Sequence, residues 1–194
     1  MTALIILAAG ESSRMGQPKQ NLLFQNQTLL QRAVETGLTS QCRPVIIMLG
    51  ANADTIEING QDDVKVLYNP DWNEGMASSI RLAIKEIEKN RRINQAIIML
   101  CDQPFVTPVL LDAMLQKSIE TGELIITCSY NNTLGAPVLF KRVLFAELLL
   151  LKGHEGAKNI LRSQQCAITS VPFELGGFDI DTINDYEQLL ASGN

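Results

Sequence analysis

The sequence has little of what covalent or zinc-dependent catalysis uses. Among its 194 residues there is one histidine, His154, and the four cysteines lie far apart, at Cys42, Cys101, Cys128 and Cys166, without a CxxC pair. This spacing disfavours a zinc site and is typical of reduced thiols in a cytoplasmic protein. No Ser-His-Asp or Cys-His set is recognisable, so the sequence gives no support for a covalent nucleophile.

Long apolar runs and an excess of positive charge are also missing. The runs Ala3–Ala9 and Val45–Leu49 are far shorter than the roughly 18 residues of a membrane span. No basic region precedes the first run, so a secretory signal is not expected. With 16 Lys plus Arg against 21 Asp plus Glu, the net charge is −5, which argues against a general nucleic-acid-binding surface. We therefore expect a cytoplasmic protein with neither membrane nor nucleic-acid partners.

Short apolar runs alternate with helical patterns along the chain, which predicts a three-layer α/β/α fold with a mixed, mostly parallel sheet. The length suits a single domain covering residues 1–194. Strands are predicted at Ala3–Ala8, Pro44–Leu49, Val64–Tyr68, Ala96–Leu100, Glu123–Ser129 and Pro137–Phe140, with the last two near a change of direction in the sheet. Helices are predicted after Thr28, from Met76, from Thr107-Pro108, near Arg142–Leu151, from Gly156 and from Thr182.

The segment after the first predicted strand has the composition of a phosphate-binding loop. Leu7, Ala8, Ala9 and Gly10 bring small residues to the end of the strand, and Arg14 and Lys19 follow. Small residues let backbone amides approach a phosphate, while the two cations supply charge. The segment is not a P-loop, because no Gly-Lys-Ser/Thr follows. A polar surface loop with incidental cations is the alternative interpretation.

This loop and the motifs that follow it resemble the nucleotidyltransferases that act on molybdenum cofactor, and the cytidylyltransferase branch matches best. The other matching segments occur in the family's order and span nearly the whole chain: Asn69–Ser79, Cys101–Pro104, Gly135–Phe140, Gly156–Lys158 and Asp179–Thr182. The resemblance implies a Rossmann-like nucleotidyltransferase fold and a magnesium ion. It also implies transfer of CMP from CTP to the terminal phosphate of molybdopterin cofactor, with release of pyrophosphate.

The resemblance also assigns roles to individual residues. It implies that Arg14, Lys19 and Asp102 are catalytic and that Asp102 binds magnesium together with Asp179 or Asp181. The sequence does not choose between these two, because alternate residues on a strand share a face while Asp181 also suits the start of a helix. Lys158 is matched to binding of the pterin substrate, with a solvated helix charge as the alternative. The implied nucleotide-binding residues are Leu7, Ala8, Ala9, Gly10, Arg14, Lys19, Asn69, Gly75, Ser78, Ser79 and Asp102.

Some positions depart from the family pattern or leave alternatives open. His154 stands where an acidic residue is expected, and Ile183 stands where proline is usual, so pterin recognition stays open. Trp72 either packs or stacks on substrate. The methyl group of Ala9 narrows the space near the base, which favours CTP over GTP, since the guanylyltransferase relatives resemble Leu-Ala-Gly-Gly here.

Three other functions therefore remain alternatives to cytidylyl transfer: a GTP-dependent molybdopterin guanylyltransferase, a nucleotidyltransferase for sugar phosphates, and a non-catalytic carrier of molybdenum cofactor. A recipient molybdoenzyme or its chaperone is a possible protein partner in each case that involves the cofactor. The number of copies of the chain in solution is left open.

Overall fold

The computed structural model describes residues 1–56, 63–156, 160–161 and 168–192. The strands are β1 Thr2–Ala8, β2 Leu23–Phe24, β3 Gln27–Thr28, β4 Val45–Leu49, β5 Val64–Tyr68, β6 Gln95–Leu100, β7 Ile125–Tyr130, β8 Thr133–Lys141 and β9 Ile168–Pro172. The α-helices are α1 Leu29–Thr39, α2 Met76–Glu88, α3 Pro108–Thr121, α4 Phe145–Leu148 and α5 Ile183–Ser192.

Seven of these strands form one mixed sheet in the order β5-β4-β1-β6-β8-β7-β9. Strand β8 pairs antiparallel with both β6 and β7, whereas the other pairings are parallel. The carboxyl ends of the six remaining strands therefore meet at one edge of the sheet, next to the amino end of β8. In folds of this kind ligands bind at that edge.

Both faces of the sheet are covered, which explains why β1 is one continuous apolar run. Ile5 points into a core formed with α2 and α4, while Leu4 and Ile6 point into a second core formed with α1 and α3. The three-layer, mostly parallel architecture expected from the sequence is therefore confirmed.

Helix α1 begins where the sequence predicts it. The Thr28 hydroxyl accepts a hydrogen bond from the amide of Gln31, and the Gln31 side chain accepts one from the amide of Thr28. This reciprocal capping satisfies two amides that a helix start otherwise leaves unpaired. Helix α3 begins in a similar way, with Thr107 as the cap and Pro108 in the first turn.

Two expectations about the elements need correction, and three short strands were not expected. The helix expected near Arg142–Leu151 is much shorter. A 3₁₀ turn at Arg142–Leu144 leads into the single turn of α4, whose apolar side chains Phe145 and Leu148 are buried. Asp179 and Asp181 do not lie on a strand, but on an irregular segment whose Ile180 amide donates to the carbonyl of Asp102 (3.1 Å). Strand β9 and the β2–β3 hairpin were not expected. The helix expected from Gly156 falls largely outside the described residues.

No helix in the described part of the chain is long and apolar enough to cross a membrane.

Candidate functional site

A cavity of about 600 Å³ opens at the carboxyl ends of β1 and β6. It gathers most of the residues that the sequence singles out for nucleotide binding, from segments far apart in the chain. Those that line it are Leu7, Ala8, Ala9, Gly10, Arg14, Lys19, Gly75, Ser79 and Asp102. The cavity is also lined by Trp72 and His154 and by residues to which the sequence assigned no individual role, namely Glu11, Gln20, Asn73, Met76, Leu100 and Cys101.

The centre of the site is an ion pair between Lys19 and Asp102. The Lys19 ammonium donates to the Asp102 carboxylate, to Asp181 Oδ1 (3.1 Å) and to the carbonyl of Ile180 (3.3 Å). Only 16% of the Lys19 side chain and 11% of the Asp102 side chain are exposed. Burial lowers the pKa of Lys19, but the carboxylates of Asp102 and Asp181 more than offset this and raise it above its ordinary value. The ammonium therefore stays charged.

Arg14 is the second cation and is held much more loosely. Its guanidinium lies 3.1 Å from Asp181 Oδ2, but 67% of its side chain is exposed. An exposed pair of this kind contributes little to stability. Arg14 is therefore free to change partners when an anionic ligand enters the cavity.

The carboxylates of Asp102, Asp179 and Asp181 lie around the cations of Lys19 and Arg14. Burial, helped by the nearby carboxylates of Asp102 and Asp181, raises the pKa of Asp179 to about 6, while a hydrogen bond from Gln103 opposes the increase. Burial, as the larger cause, and the neighbouring carboxylates thus both disfavour ionisation of Asp179.

This arrangement fits a divalent cation that also binds phosphate. Asp102 Oδ2 accepts from Lys19, whereas Asp102 Oδ1 is buried and finds no hydrogen-bond partner among the described residues. A buried carboxylate oxygen without a partner is costly unless a ligand satisfies it. No three His, Cys, Asp or Glu side chains in the described segments converge to hold a metal by themselves. A divalent ion such as magnesium takes one or two carboxylates and completes its shell with phosphate oxygens and water, so it does not require a larger set of protein ligands.

The start of α2 is held together by Asn69. The Asn69 amide nitrogen donates to the hydroxyls of Ser78 (2.8 Å) and Ser79 (2.9 Å), and its oxygen accepts from the amide of Asp71 (3.0 Å). Asn69 and Ser78 are buried and do not line the cavity, whereas Ser79 does. Of the residues expected to touch the nucleotide here, Gly75 and Ser79 are in place to do so, and Asn69 and Ser78 lie behind them.

Gly75 brings a second loop to the cavity. Its φ of +119° disfavours other residues, and a Cβ there would lie 2.4 Å from the carbonyl oxygen of Gly153. The same loop is fixed by Glu74, which pairs with Arg81 (2.6 Å) and accepts from the amide of Gly153 (3.2 Å). The hydrogen bond from Arg81, with that from Gly153, lowers the pKa of Glu74 to about 2. These contacts place His154 at the rim of the cavity.

Gln20 fixes the backbone of the small-residue loop. Its side-chain amide donates to the carbonyls of Ala8 (2.7 Å) and Gly10 (3.1 Å), and the residue is 1% exposed. Sequence reasoning missed it because bonds to backbone carbonyls leave no motif. The only available signal was its position next to Lys19.

The Ala9 methyl faces a tightly packed wall. A Cβ on Gly50 would lie 2.9 Å from the Ala9 Cβ and 2.6 Å from the Trp72 Cβ. The Trp72 Cβ therefore packs against Gly50 at the end of β4, and Trp72 also lines the cavity. Both sequence interpretations of Trp72 remain compatible with this position.

A separate apolar cluster joins the segments that carry the charged residues. Met15 and Leu22 flank Lys19 in the chain, Ile180 lies between Asp179 and Asp181, and all three are buried in this cluster with Phe24, Leu29 and Leu189. Phe105, close behind Asp102 in sequence, packs edge-on against both Phe24 and Phe178. The cluster thus fixes Lys19, Asp102 and Asp181 relative to one another.

Lys158, which the sequence matched to binding of the pterin substrate, lies outside the described residues.

Known proteins resemble this chain over most of its length. Nicotine blue oxidoreductase of Paenarthrobacter nicotinovorans is 30% identical over 96% of this chain and 95% of its own. The purine catabolism protein PucB of Bacillus subtilis is 25% identical over 95% of this chain and 94% of its own. Molybdenum cofactor cytidylyltransferase of Escherichia coli is 30% identical over a shorter stretch, 43% of this chain and 44% of its own.

Solved structures share the fold. Rv0371c from Mycobacterium tuberculosis superposes with a TM-score of 0.83 at 28% identity, covering 98% of each chain. The same protein has been solved in complex with manganese, with a TM-score of 0.79 at 27% identity and the same 98% coverage of both chains. A nucleotidyl transferase from Methanothermobacter thermautotroptrophicus, Mth528, reaches 0.81 at 19% identity, covering 99% of this chain and 97% of its own.

Residues 4–168 match the model of the MobA-like NTP transferase domain. The match covers most of the chain, including most of β1, the loop after it and β6, the strand that precedes Asp102. The chain therefore belongs to the MobA-like NTP transferase family.

Proposed function

We propose that this protein transfers CMP from CTP to the terminal phosphate of molybdopterin cofactor and releases pyrophosphate. The observation that carries the proposal is the meeting of the small-residue loop, Arg14, Lys19 and Asp102, whose buried Oδ1 has no hydrogen-bond partner among the described residues, in one cavity. The similarity to the cytidylyltransferase of Escherichia coli supports the choice of substrates. The acidic overall balance suits a cytoplasmic enzyme for small molecules, with a molybdoenzyme or its chaperone as the recipient of the product.

The reaction needs positioning and charge stabilisation more than a strong base. A phosphate monoester is already anionic near neutral pH, so it can attack the α-phosphorus of CTP in line with the departing pyrophosphate. The backbone amides from Ala8 to Gly10 and the cations of Arg14 and Lys19 bind the triphosphate. When bound, magnesium neutralises the charge that builds up on the phosphate oxygens. The absence of a recognisable nucleophile–histidine pair agrees with this chemistry.

Asp102 and Asp181 are the proposed magnesium ligands. Lys19 contacts both carboxylates at once, so a single cation can span them, whereas Asp179 makes no such contact with Lys19 among the described hydrogen bonds. The manganese complex of the similar Rv0371c supports a divalent ion in this fold. In this proposal Asp179 lies nearby without binding the ion directly.

The experiment that tests the proposal measures pyrophosphate release with magnesium and molybdopterin cofactor, offering CTP, GTP and ATP separately. A signal that needs the cofactor and is greatest with CTP supports cytidylyl transfer. A signal greatest with GTP would favour guanylyl transfer and would contradict the role given to the Ala9 methyl. Release that requires a sugar phosphate instead would point to a different acceptor. Binding of the cofactor without any release would point to a carrier.

Replacing Asp102 tests the catalytic assignment. We expect Asp102→Asn, which keeps the size of the side chain, to lower kcat by about 100-fold or more, as loss of a group that stabilises developing charge does. The fold is expected to remain, which circular dichroism checks. Glu120→Gln on the exposed side of α3 removes an equal charge away from the cavity and serves as the control. Near-normal turnover by Asp102→Asn would remove Asp102 from the mechanism.

A second candidate function comes from the full-length similarity to nicotine blue oxidoreductase. An oxidoreductase on this scaffold would use the cavity for a reduced dinucleotide, whose phosphates suit the same loop and cations. The discriminating assay follows oxidation of NADH and NADPH with and without a quinonoid dye as electron acceptor. Acceptor-dependent oxidation, with no pyrophosphate release from any nucleotide, would favour the oxidoreductase.

A further inference from the structure

Lys19 occupies the place where the carboxylates would hold a divalent ion. Its ammonium contacts three oxygens from two distant segments: a carboxylate oxygen of Asp102, Asp181 Oδ1 at 3.1 Å, and the carbonyl oxygen of Ile180 at 3.3 Å. Carboxylate and carbonyl oxygens are the ligands that magnesium and similar hard cations prefer. A lysine side chain thus has the surroundings of a metal ion.

We propose that Lys19 is the resident cation of this carboxylate site and keeps divalent ions out until a nucleoside triphosphate draws its ammonium away. The inference rests on the proposed function in one respect, that the ligand of the cavity carries a triphosphate. It adds an order to the binding steps, because the metal site becomes available as the nucleotide arrives.

The charges around Lys19 explain why its ammonium and a divalent ion compete. A metal ion bound between Asp102 and Asp181 would stand beside the ammonium, and two cations at that distance repel each other. If the ammonium instead moves to a phosphate, both positive charges gain a negative partner. The Asp102 oxygen that Lys19 leaves, Oδ2, is then available to the incoming ion.

The backbone near Lys19 lets the side chain move while its base stays fixed. The Lys19 amide donates to the Ser12 hydroxyl (3.1 Å), and Lys19 begins a short 3₁₀ turn that ends at Asn21. Met15 and Leu22 on either side are buried in the apolar cluster described above. Because Lys19 and Asp102 line the same cavity, a change of side-chain rotamer is enough to exchange a carboxylate for a phosphate.

Arg14 cannot take over this role. It contacts Asp181 and not Asp102, and 67% of its side chain is exposed. Its charge is therefore largely screened by solvent. Arg14 thus provides a matched control. It is a cation that lines the same cavity, but its guanidinium does not bridge Asp102 and Asp181 as the Lys19 ammonium does.

The test is manganese binding without nucleotide, measured from the electron paramagnetic resonance signal of free Mn²⁺. Removing the competing ammonium in Lys19→Met is expected to tighten Mn²⁺ binding by about tenfold or more, the scale of a lost charge-assisted hydrogen bond. Arg14→Met is expected to change the affinity by less than about threefold, as an exposed ion pair does. Unchanged or weaker Mn²⁺ binding by Lys19→Met would overturn the inference.

Two further variants test whether the Mn²⁺ ion binds at Asp102. Adding Asp102→Asn to Lys19→Met should remove the gain in Mn²⁺ affinity, because the ion then loses its main carboxylate. A gain that survives in the double variant would place the ion elsewhere and overturn the inference. If Lys19→Met folds poorly, Lys19→Gln serves instead, since it is uncharged but keeps a hydrogen-bond donor for Asp102.

The ordered release of Lys19 is tested with inorganic triphosphate as the probe. Triphosphate should raise the Mn²⁺ affinity of the wild-type protein more than that of Lys19→Met, where the site is already open; an equal increase in both would overturn the proposed order. None of these measurements uses CTP or molybdopterin cofactor. Failure of cytidylyl transfer is therefore seen separately, in the pyrophosphate assay.

Discussion

Asn69 shows how a polar residue beside the cavity can act on its neighbours. Both hydrogens of its amide are used by Ser78 and Ser79, and its oxygen accepts from the amide of Asp71. With 2% of the residue exposed, its hydrogen-bonding capacity is spent within the protein. Its structural contribution is therefore to fix the first turn of α2, which presents Gly75 and Ser79 to the ligand.

Replacing Asn69 should affect stability and nucleotide binding more than chemistry. We expect Asn69→Ala to lower the free energy of unfolding by about 1–3 kcal/mol, because two buried hydroxyls lose their donor. The KM for nucleotide should rise, while kcat should change little. Urea denaturation and steady-state kinetics measure the two effects. Ser78→Ala, which removes one of the two acceptors, is the milder comparison, and a large fall in kcat would instead indicate contact with the reacting groups.

Two cysteines with raised pKa values illustrate the effect of burial on a single residue. Burial raises the pKa of Cys42 to about 11 and that of Cys128 to about 12. The thiolate is the reactive form, and raising the pKa leaves little of it at neutral or mildly alkaline pH.

We therefore expect Cys42 and Cys128 to resist alkylation by iodoacetamide in the folded protein at pH 8 and to react fully in guanidinium chloride. Peptide mass spectrometry reports each site separately. Because the native state holds these thiol protons more tightly than the unfolded state, stability should fall as the pH rises through about 9 and above. Rapid native labelling of either cysteine would contradict their burial.

For whole strands and helices, the burial of the segment decides whether it could be predicted from the sequence. Strands β1, β4, β5 and β6 were expected close to their observed bounds; three of them are continuous apolar runs between polar or small residues, and β5 is apolar except for Lys65. Strand β9, with the sequence Ile-Thr-Ser-Val-Pro, is only partly buried, so no continuous or alternating apolar pattern marks it. The capping box of α1 was readable because it is local.

The site was partly predictable for the same reason. Asp102 and the small-residue loop directly follow buried strands, and such positions lie at the ligand-binding edge of a parallel sheet. The partnership of Lys19 with Asp181 joins residues 162 positions apart, and no local pattern can reveal it. Gln20 and the apolar cluster around Ile180 were missed on the same physical ground.

Arg32 links α1 to the loop that follows β6. Its Nε donates to the carbonyl of Pro104 (2.7 Å), and its guanidinium lies 5.1 Å from the centre of the Phe24 ring. Helix α1 therefore holds the turn after Asp102 and also holds the β2–β3 hairpin.

We expect Arg32→Ala to lower the free energy of unfolding by about 1–2 kcal/mol through loss of these contacts. Urea denaturation measures the change. Gln25→Ala removes only the outer hydrogen bond to Arg32 (3.2 Å) and should stay within about 0.5 kcal/mol of the wild type. Equal effects of the two substitutions would show that the contact with Pro104 contributes nothing of its own.

The whole molecule is built on one continuous sheet, and this bears on how it unfolds. Each of the seven strands of this sheet is hydrogen-bonded to the strand beside it, and helices cover both faces of the sheet. The sheet lies between the two apolar cores on its faces.

We expect a single calorimetric unfolding transition, with the calorimetric enthalpy equal to the van't Hoff enthalpy. Mg²⁺ and CTP together should shift that transition upward, because ligands that bind only the native state stabilise it. Two separate transitions, with only one of them shifted by ligand, would show that part of the chain folds on its own.

The reversed direction of β8 has a consequence for how such an enzyme can diversify. Strands β7 and β8 are joined only by Asn131 and Asn132, both with positive φ, and this tight turn lies at the ligand-binding edge across β6 from the loop of Ala8 to Gly10. A hairpin tip is a site where insertions are well tolerated. Lengthening this turn would change the surface beside β8 and leave the loop of Ala8 to Gly10, on the other side of β6, in place, so this edge of the sheet can vary while the small-residue loop is kept.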